Sequence, residues 1–306
     1  MKILVVGGSK YMGRRLVERL LDDGHDVTLL NRGRHGDRFG ARVRRLHADR
    51  ADPSAFARAL DGATWDLVHD MVCYTPAEAT TAAAALDGRA GRVLVASTIM
   101  VHEPDPGRLT PFSEDDHVAA RHHVDLDLPW HDAAFRAPRY AEGKRQMEAA
   151  LGRRFALTPV AVVRIAHVLA AEDEHTGRLA FHAERVRRGL PIAVPASARR
   201  TSFVTADEMA RFLAWAGEQT FTGPVNAASD GALSVGELAA ALGEALGRAP
   251  VLDDAGEPSP FGFPGEYSLA TTRARTLGFR FDAARRWLPA LVRDHVAFTS
   301  AAREAS

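Results

Sequence analysis

Ile3-Leu4-Val5-Val6 is an unbroken apolar run, the pattern of a strand buried on both faces. Gly7, Gly8 and Gly13 follow, then Leu16, Val17, Leu20 and Leu21 share one helical stripe. Gly24 supplies a stop for that helix. The alternation continues with strands over 25–30, 43–47, 66–72 and 92–97 and helices over 53–60 and 77–86. Repeats of this length predict a parallel, doubly wound α/β sheet with right-handed crossovers. Residues 102–138, rich in proline, histidine and acids, break the rhythm and read as a polar lid. A helix over 138–151 and a strand over 160–165 restore it. Beyond lie an amphipathic stretch at 177–188, a strand at 199–205 and a helix at 207–216. Ser234 and Glu237 form a capping box opening a helix to Leu246, residues 256–265 read as a loop, and a last helix spans 288–298.

Composition refines this picture only in places. The chain has 306 residues with 39 basic and 39 acidic side chains, and zero net charge argues against a broad nucleic-acid surface. Cys73 is the single cysteine, which excludes an intrachain disulfide and a cysteine-based zinc site. The first apolar run is too short for a signal-peptide core, and no run approaches the ~20 residues of a membrane span. The expectation is a soluble cytoplasmic protein. Of the basic residues 36 are arginine; only Lys2, Lys10 and Lys144 are lysine. That scarcity gives weight to the two lysines that fall inside motifs.

The turn Gly7-Gly8-Ser9-Lys10-Tyr11-Met12-Gly13 stands between a first strand and a first helix. Small residues there let the backbone approach a pyrophosphate, and the helix start offers free N–H groups and a positive dipole. With this context the chain resembles the extended short-chain dehydrogenase/reductase family of NAD-dependent epimerases and dehydratases. That resemblance implies a Rossmann-like domain over 1–165, with 199–216 returning to it, and a smaller substrate-binding lobe over 166–306. Lys10 stands where the family places its middle glycine, as in an atypical branch that includes non-catalytic RNA-binding relatives. The end of the second strand, where NAD-preferring members carry an acid, reads Asn31-Arg32, with Arg34 close by. Cations there favour a 2′-phosphate, so the expected cofactor is NAD or NADP, leaning to NADP. Asp49 matches the family position near the adenine, and Cys73 ends the fourth strand near the cofactor.

Tyr140-Ala141-Glu142-Gly143-Lys144 puts a tyrosine and a lysine on one helix face. Tyrosine, with an ordinary pKa near ~10, is a poor base at neutral pH, and an adjacent ammonium favours its phenolate. The pair falls on the helix after the fifth strand, where the resemblance places an acid/base tyrosine and a lysine that binds the nicotinamide ribose. Register puts Thr98 at the third catalytic position, touching the reacting oxygen, with Ser97 as the alternate. Dehydratases follow that residue with an Asp-Glu pair. Here Ile99-Met100 follow, which leaves epimerisation or carbonyl reduction.

In the second lobe His167 occupies the family's substrate-contacting asparagine position, and Arg200 aligns with a pyrophosphate-binding arginine. Pro260 and Phe261 stand where a second clamping arginine belongs, and Phe261 and Phe263 are ring-stacking candidates. His102, His117, His122, His123 and His131 are scattered through the lid without ligand spacing, so no metal is expected. The leading expectation is an NAD(P)-dependent epimerase inverting a secondary hydroxyl carbon of a sugar, nucleotide-sugar or sugar-like substrate through a transient ketone, working as a homodimer. The alternatives are an NADPH-dependent ketoreductase on a similar substrate and a non-catalytic dinucleotide- or RNA-binding module.

Overall fold

The computed structural model describes residues 1–34, 36–174 and 176–304. The chain divides into two compact units. Unit 1 takes Met1–His102, Glu114–Ile165 and Met209–Asn226; unit 2 takes Glu103–Ser113, Ala166–Glu208 and the chain from Ala227 onward.

The strands are, in order, β1 (Lys2–Val6), β2 (Asp26–Asn31), β3 (Arg44–His47), β4 (Leu67–Asp70), β5 (Val93–Thr98), β6 (Val160–Ile165) and β7 (His167–Leu169). There follow β8 (Ile192–Ala193), β9 (Ala198–Thr201), β10 (Phe203–Thr205), β11 (Gly223–Ala227), β12 (Leu233–Ser234), β13 (Glu257–Pro258) and β14 (Gly265–Tyr267). The helices are α1 (Tyr11–Asp22), α2 (Pro53–Ala59), α3 (Pro76–Leu86), α4 (Ala133–Arg136) and α5 (Tyr140–Arg154). After them come α6 (Arg178–Arg188), α7 (Ala206–Gly217), α8 (Val235–Leu246), α9 (Thr272–Thr276) and α10 (Ala284–Glu304).

Unit 1 is built on a seven-stranded sheet in the order β11-β6-β5-β4-β1-β2-β3, with parallel pairing from β6 through β3. Its central strands are apolar on both faces: Ile3, Leu4, Val5, Val68 and Leu94 are buried. Strand order reverses between β1 and β4, and the crevice outside the strand ends at such a reversal is where open α/β sheets bind ligands. α3 starts at a full capping box, Thr75 Oγ1 accepting from Glu78 N and the Glu78 carboxylate accepting from Thr75 N.

Among the described residues unit 2 has three small sheets, β10-β7, β12-β9-β14 and β13-β8. Its core gathers Leu179, Val186, Phe203, Leu238, Phe261 and Leu288 from α6, β10, α8, the loop before β14 and α10. α8 opens on the Ser234–Glu237 capping box and ends at Gly247 in the left-handed region.

Several boundaries differ from the sequence reading, and the loop expected over 256–265 holds β13 and the start of β14. The strand expected at 199–205 is two strands broken at Ser202, whose Oγ accepts from Leu269 N at 3.0 Å. β9 pairs with β12 and β14, and β10 with β7, so 199–208 stays in unit 2; the segment in unit 1 is 209–226, and β11 extends the sheet beside β6. The last helix begins at Ala284 and carries Pro289 inside it, rather than starting beside that proline.

Both units bury neutral histidines. His69 of β4 is fully buried with neither ring nitrogen hydrogen-bonded, and burial pushes it down to about 3. His182 of α6 is held between Arg178 O (2.7 Å) and Ser259 Oγ (2.9 Å), and burial pushes it down to about 4. An unfolded histidine binds its proton near pH 6.5, so the unfolded chain takes up protons that these folded sites refuse. Stability is therefore full above about pH 6.5 and falls as pH drops towards 4, by about 2–3 kcal/mol per histidine at pH 4.5. Urea unfolding at pH 7 and pH 4.5 reads this, and His69→Leu is expected to reduce the loss. An unchanged midpoint across that interval contradicts it.

Candidate active site and dinucleotide-binding turn

The glycine turn sits at the end of β1. Gly7 and Gly8 have φ of 91° and 95°, a region that disfavours side chains, and Gly7 N donates to Leu30 O at 2.9 Å. A Cβ on Gly13 would lie 2.8 Å from Gly8 Cα, so the third motif glycine lets α1 close on the turn. Tyr11 is buried and also left-handed, with φ of 55°. Lys10 occupies the N-cap of α1 in extended conformation without a side-chain cap bond, its side chain exposed. Glycines without Cβ atoms at 7, 8 and 13, beside a helix start with no side-chain cap, leave room for a pyrophosphate, and the residues fit that group.

The end of β2 folds back onto this turn. Asn31 Nδ2 donates to Ser9 Oγ at 2.9 Å, and Asn31 Oδ1 accepts from Gly33 N at 2.8 Å. Asn31 thus ties the strand end to the glycine turn. Arg32 is exposed beside it, and Arg34 reaches Asp49 at 3.7 Å, bringing together two residues expected at the adenine–ribose end. Arg50, next to Asp49 in the chain, forms a buried ion pair with Asp70 at 2.6 Å. Cys73 is fully buried, and burial pushes its thiol up to about 12, so it is a packing residue rather than a nucleophile.

Lys144 is the hub of the second cluster. It is only 1% exposed, and its Nζ donates to Cys73 O and to Ala96 O, both at 2.7 Å. One ammonium therefore joins α5, the loop after β4 and the end of β5. Tyr140, one turn earlier on α5, is half-buried, with Lys144 Nζ 5.9 Å from its ring centroid. Thr98 ends β5 two residues beyond Ala96, is buried, and accepts from Met100 N at 3.2 Å through Oγ1. Its neighbour Ser97 points the other way and donates to Glu148 Oε1 at 2.6 Å, inside a buried cluster with Arg164. Ser97 is committed to packing, which leaves Thr98 as the hydroxyl candidate at this strand end.

Sequence reasoning missed two residues of this cluster. A Cβ on Gly143 would lie 2.7 Å from Tyr74 O, so the glycine between Tyr140 and Lys144 sets how near α5 comes to the loop after β4. The signal was present, since glycine inside a helix costs about 1 kcal/mol and implies a close approach. Tyr74 itself packs its ring 6.1 Å from that of Tyr140.

The histidine-rich stretch is anchored rather than loose. Asp125 N donates to Gln146 Oε1 (2.8 Å), Arg153 to His122 O (2.6 Å), and His122 meets Glu142 at 3.0 Å, all on α5. Trp130 is buried and donates to Asp125 O. Residues 103–113 belong instead to unit 2, so the lid expected over 102–138 is divided. Among the described residues no three His, Cys, Asp or Glu side chains converge as metal ligands.

In unit 2, His167 is buried and stacks on Phe263 with rings 5.2 Å apart and 4° from parallel. Arg178, which can only donate, meets His167 Nδ1 at 3.0 Å, so the imidazole proton sits on Nε2. Burial holds His167 well below its ordinary pKa. Phe261 packs edge-on against Phe203 in the core. Arg200 does not line this cluster: its side chain is 55% exposed and faces Glu237 at 3.7 Å. Its neighbour Thr201 is the inward residue of β9 and donates to Tyr267 O at 2.7 Å.

A parallel α/β sheet with a glycine turn after its first strand and a Tyr/Lys helix beside its fifth defines a dinucleotide-dependent class of enzyme. The chain belongs to the NAD dependent epimerase/dehydratase family, whose model matches residues 3–228. The fold matches a UDP-glucose 4-epimerase from Thermus thermophilus, solved with NAD, at TM-score 0.69 and 20% identity over 97% of this chain and 99% of that one. It matches a UDP-glucose 4-epimerase from Thermotoga maritima, solved with UDP-glucose, at TM-score 0.72 and 19% identity over 98% and 99%. In sequence, 114 residues are 30% identical to the 2′-dehydrokanamycin reductase of Streptomyces kanamyceticus, covering 37% of this chain and 32% of that protein. The chain thus spans about a third of the curated relative it matches.

Proposed function

We propose that this protein catalyses reversible oxidation and reduction at a secondary hydroxyl carbon of a sugar or sugar-like substrate, as an epimerase acting through a transient ketone. The observation that carries the reading is Lys144 Nζ bridging Cys73 O and Ala96 O, which seats the Tyr140 helix against the strand that ends in Thr98. A nicotinamide dinucleotide, when bound, supplies the hydride acceptor and donor. Tyr140, half-buried at the start of α5, takes the hydroxyl proton and returns it. Lys144 favours the phenolate and binds the nicotinamide ribose; Thr98 orients the substrate oxygen. Gly7, Gly8, Ser9 and Gly13 with the start of α1 hold the pyrophosphate, and Lys10, Arg32 and Arg34 favour NADP over NAD. The half-clamp at Arg200, turned to Glu237, favours a substrate without a nucleoside diphosphate. His167 presents a neutral N–H donor, suited to a sugar oxygen rather than to a charged group. The reading includes a homodimer and a cytoplasmic setting; no helix among the described residues is long and apolar enough to cross a membrane.

A second reading, net reduction of a sugar ketone by NADPH, is favoured by the absence of an acid at Asn31-Arg32. Incubation with NAD(P)⁺ or NADPH and a panel of sugars, nucleotide sugars and keto-sugars separates the two. Inverted configuration by nuclear magnetic resonance without net loss of reduced nicotinamide supports epimerisation. Stoichiometric loss of NADPH makes it a reductase. No conversion with any member, together with bound dinucleotide, returns the protein to the non-catalytic binding class.

A further inference from the structure

Tyr74 lies in the loop between β4 and α3, and its backbone is fixed from both sides. Its N–H donates to Glu78 Oε2 at 2.6 Å, so the carboxylate that caps α3 also holds this residue. Its carbonyl is the group that only a glycine at 143 lets α5 approach, 2.7 Å from the position a Cβ would take. Loop and helix are thus docked at the turn that carries Tyr140 and Lys144.

The side chains make a three-part cluster. Lys144 Nζ lies 4.8 Å from the Tyr74 ring centroid and 5.9 Å from that of Tyr140, and the two rings are 6.1 Å apart at 49°. Two of the three ammonium protons go to the carbonyls of Cys73 and Ala96. A lysine this deeply buried has little water to solvate its charge, and the face of an aromatic ring supplies part of what is missing. The nearer face belongs to Tyr74, not to the tyrosine of the motif.

We propose that Tyr74 is a positioning residue whose ring holds the Lys144 ammonium charged beside Tyr140 and so sets the pH at which the Tyr140 phenol ionises. This rests on the reading of Tyr140 as the acid/base. The titratable and charged groups at this corner are Tyr140 and Lys144 of α5, Cys73 and Tyr74 of the loop, Glu78 of α3, and the Arg50–Asp70 pair. Arg136 of α4 meets Glu78 at 3.5 Å from the other side. Burial pushes the Tyr74 phenol up to about 12, so it stays neutral at physiological pH.

The test is ultraviolet difference titration of the intact protein without substrate, in which subtraction of the Tyr140→Phe profile isolates one phenolate step. Tyr74→Leu removes the ring and is expected to move that step to higher pH by roughly 0.5–1.5 units. Tyr74→Phe keeps the ring without the hydroxyl and is expected to leave the step in place. Tyr74→Met serves as a second ring-free variant, and thermal unfolding checks that each is folded. The inference is overturned if the folded ring-free variants leave the step unmoved, or if Tyr74→Phe moves it as far as they do. Wild-type turnover in Tyr140→Phe would sink the reading of the site instead, a result independent of the Tyr74 titration.

Discussion

On the proposed reading Tyr140→Phe is expected to lower turnover by about 10²–10⁴-fold, the usual contribution of a positioned general acid/base, and to leave the stability of the protein unchanged. The second half follows from the surroundings: Tyr140 is half-buried at the start of α5, and its ring, which phenylalanine retains, makes the packing contact with Tyr74. Lys144→Met is expected to differ. It removes the ammonium beside Tyr140 and also strands two carbonyls that now accept at 2.7 Å, in a residue that is almost wholly buried. A buried acceptor left without its donor costs about 1–3 kcal/mol, so this variant loses activity and stability together. Turnover of the converted sugar, dinucleotide binding by fluorescence and urea unfolding, measured on both variants, separate the two roles. If Tyr140→Phe keeps wild-type turnover, the phenol is not the acid/base. Equal stability in Lys144→Met would mean that the lysine does not join the helix to the sheet.

Much of unit 1 is legible in the sequence because parallel strands covered on both faces appear as apolar runs. Ile3–Val6 and Val93–Val95 are such runs, and both lie at the centre of the sheet. Glycines with one conformational use are legible as well: Gly7, Gly8 and Gly13 mark the turn, and Gly24 follows α1. What the sequence hides is pairing between distant segments. β11 is a five-residue strand with a proline in it, suited to a sheet edge, and nothing local identifies β6 as its neighbour. Arg200 and Thr201 show the limit for single residues. Strand alternation sends adjacent side chains to opposite faces, so an alignment ambiguous by one position is ambiguous about which residue faces inward. Ser97 and Thr98 pose the same question, and only the Ser97–Glu148 hydrogen bond separates them.

That bond belongs to the cluster where the largest loss of stability is expected. Arg164 is fully buried in β6, with its Nη2 2.8 Å from Glu148 Oε2. Its remaining donors reach Glu114 O at 2.7 Å and His117 O at 2.8 Å, so one guanidinium holds α5 and the 114–117 segment against the sheet. Burial pushes His117 down to about 4, which keeps a second cation out of this cluster at neutral pH. Arg164→Met leaves the Glu148 carboxylate buried without its partner and the two carbonyls without donors. Breaking a buried pair from one side costs about 3–5 kcal/mol, and that loss is expected in urea unfolding. Removing both charges is far milder, because the pair's mutual attraction mainly offsets the cost of taking both ions out of water. The double variant Arg164→Met with Glu148→Leu is therefore expected to recover most of the loss while Ser97 gives up its acceptor. If the double variant is as unstable as Arg164→Met alone, the carbonyl tethers to 114–117 rather than the stranded carboxylate carry the energy, and the segment's anchorage is the main structural task of Arg164.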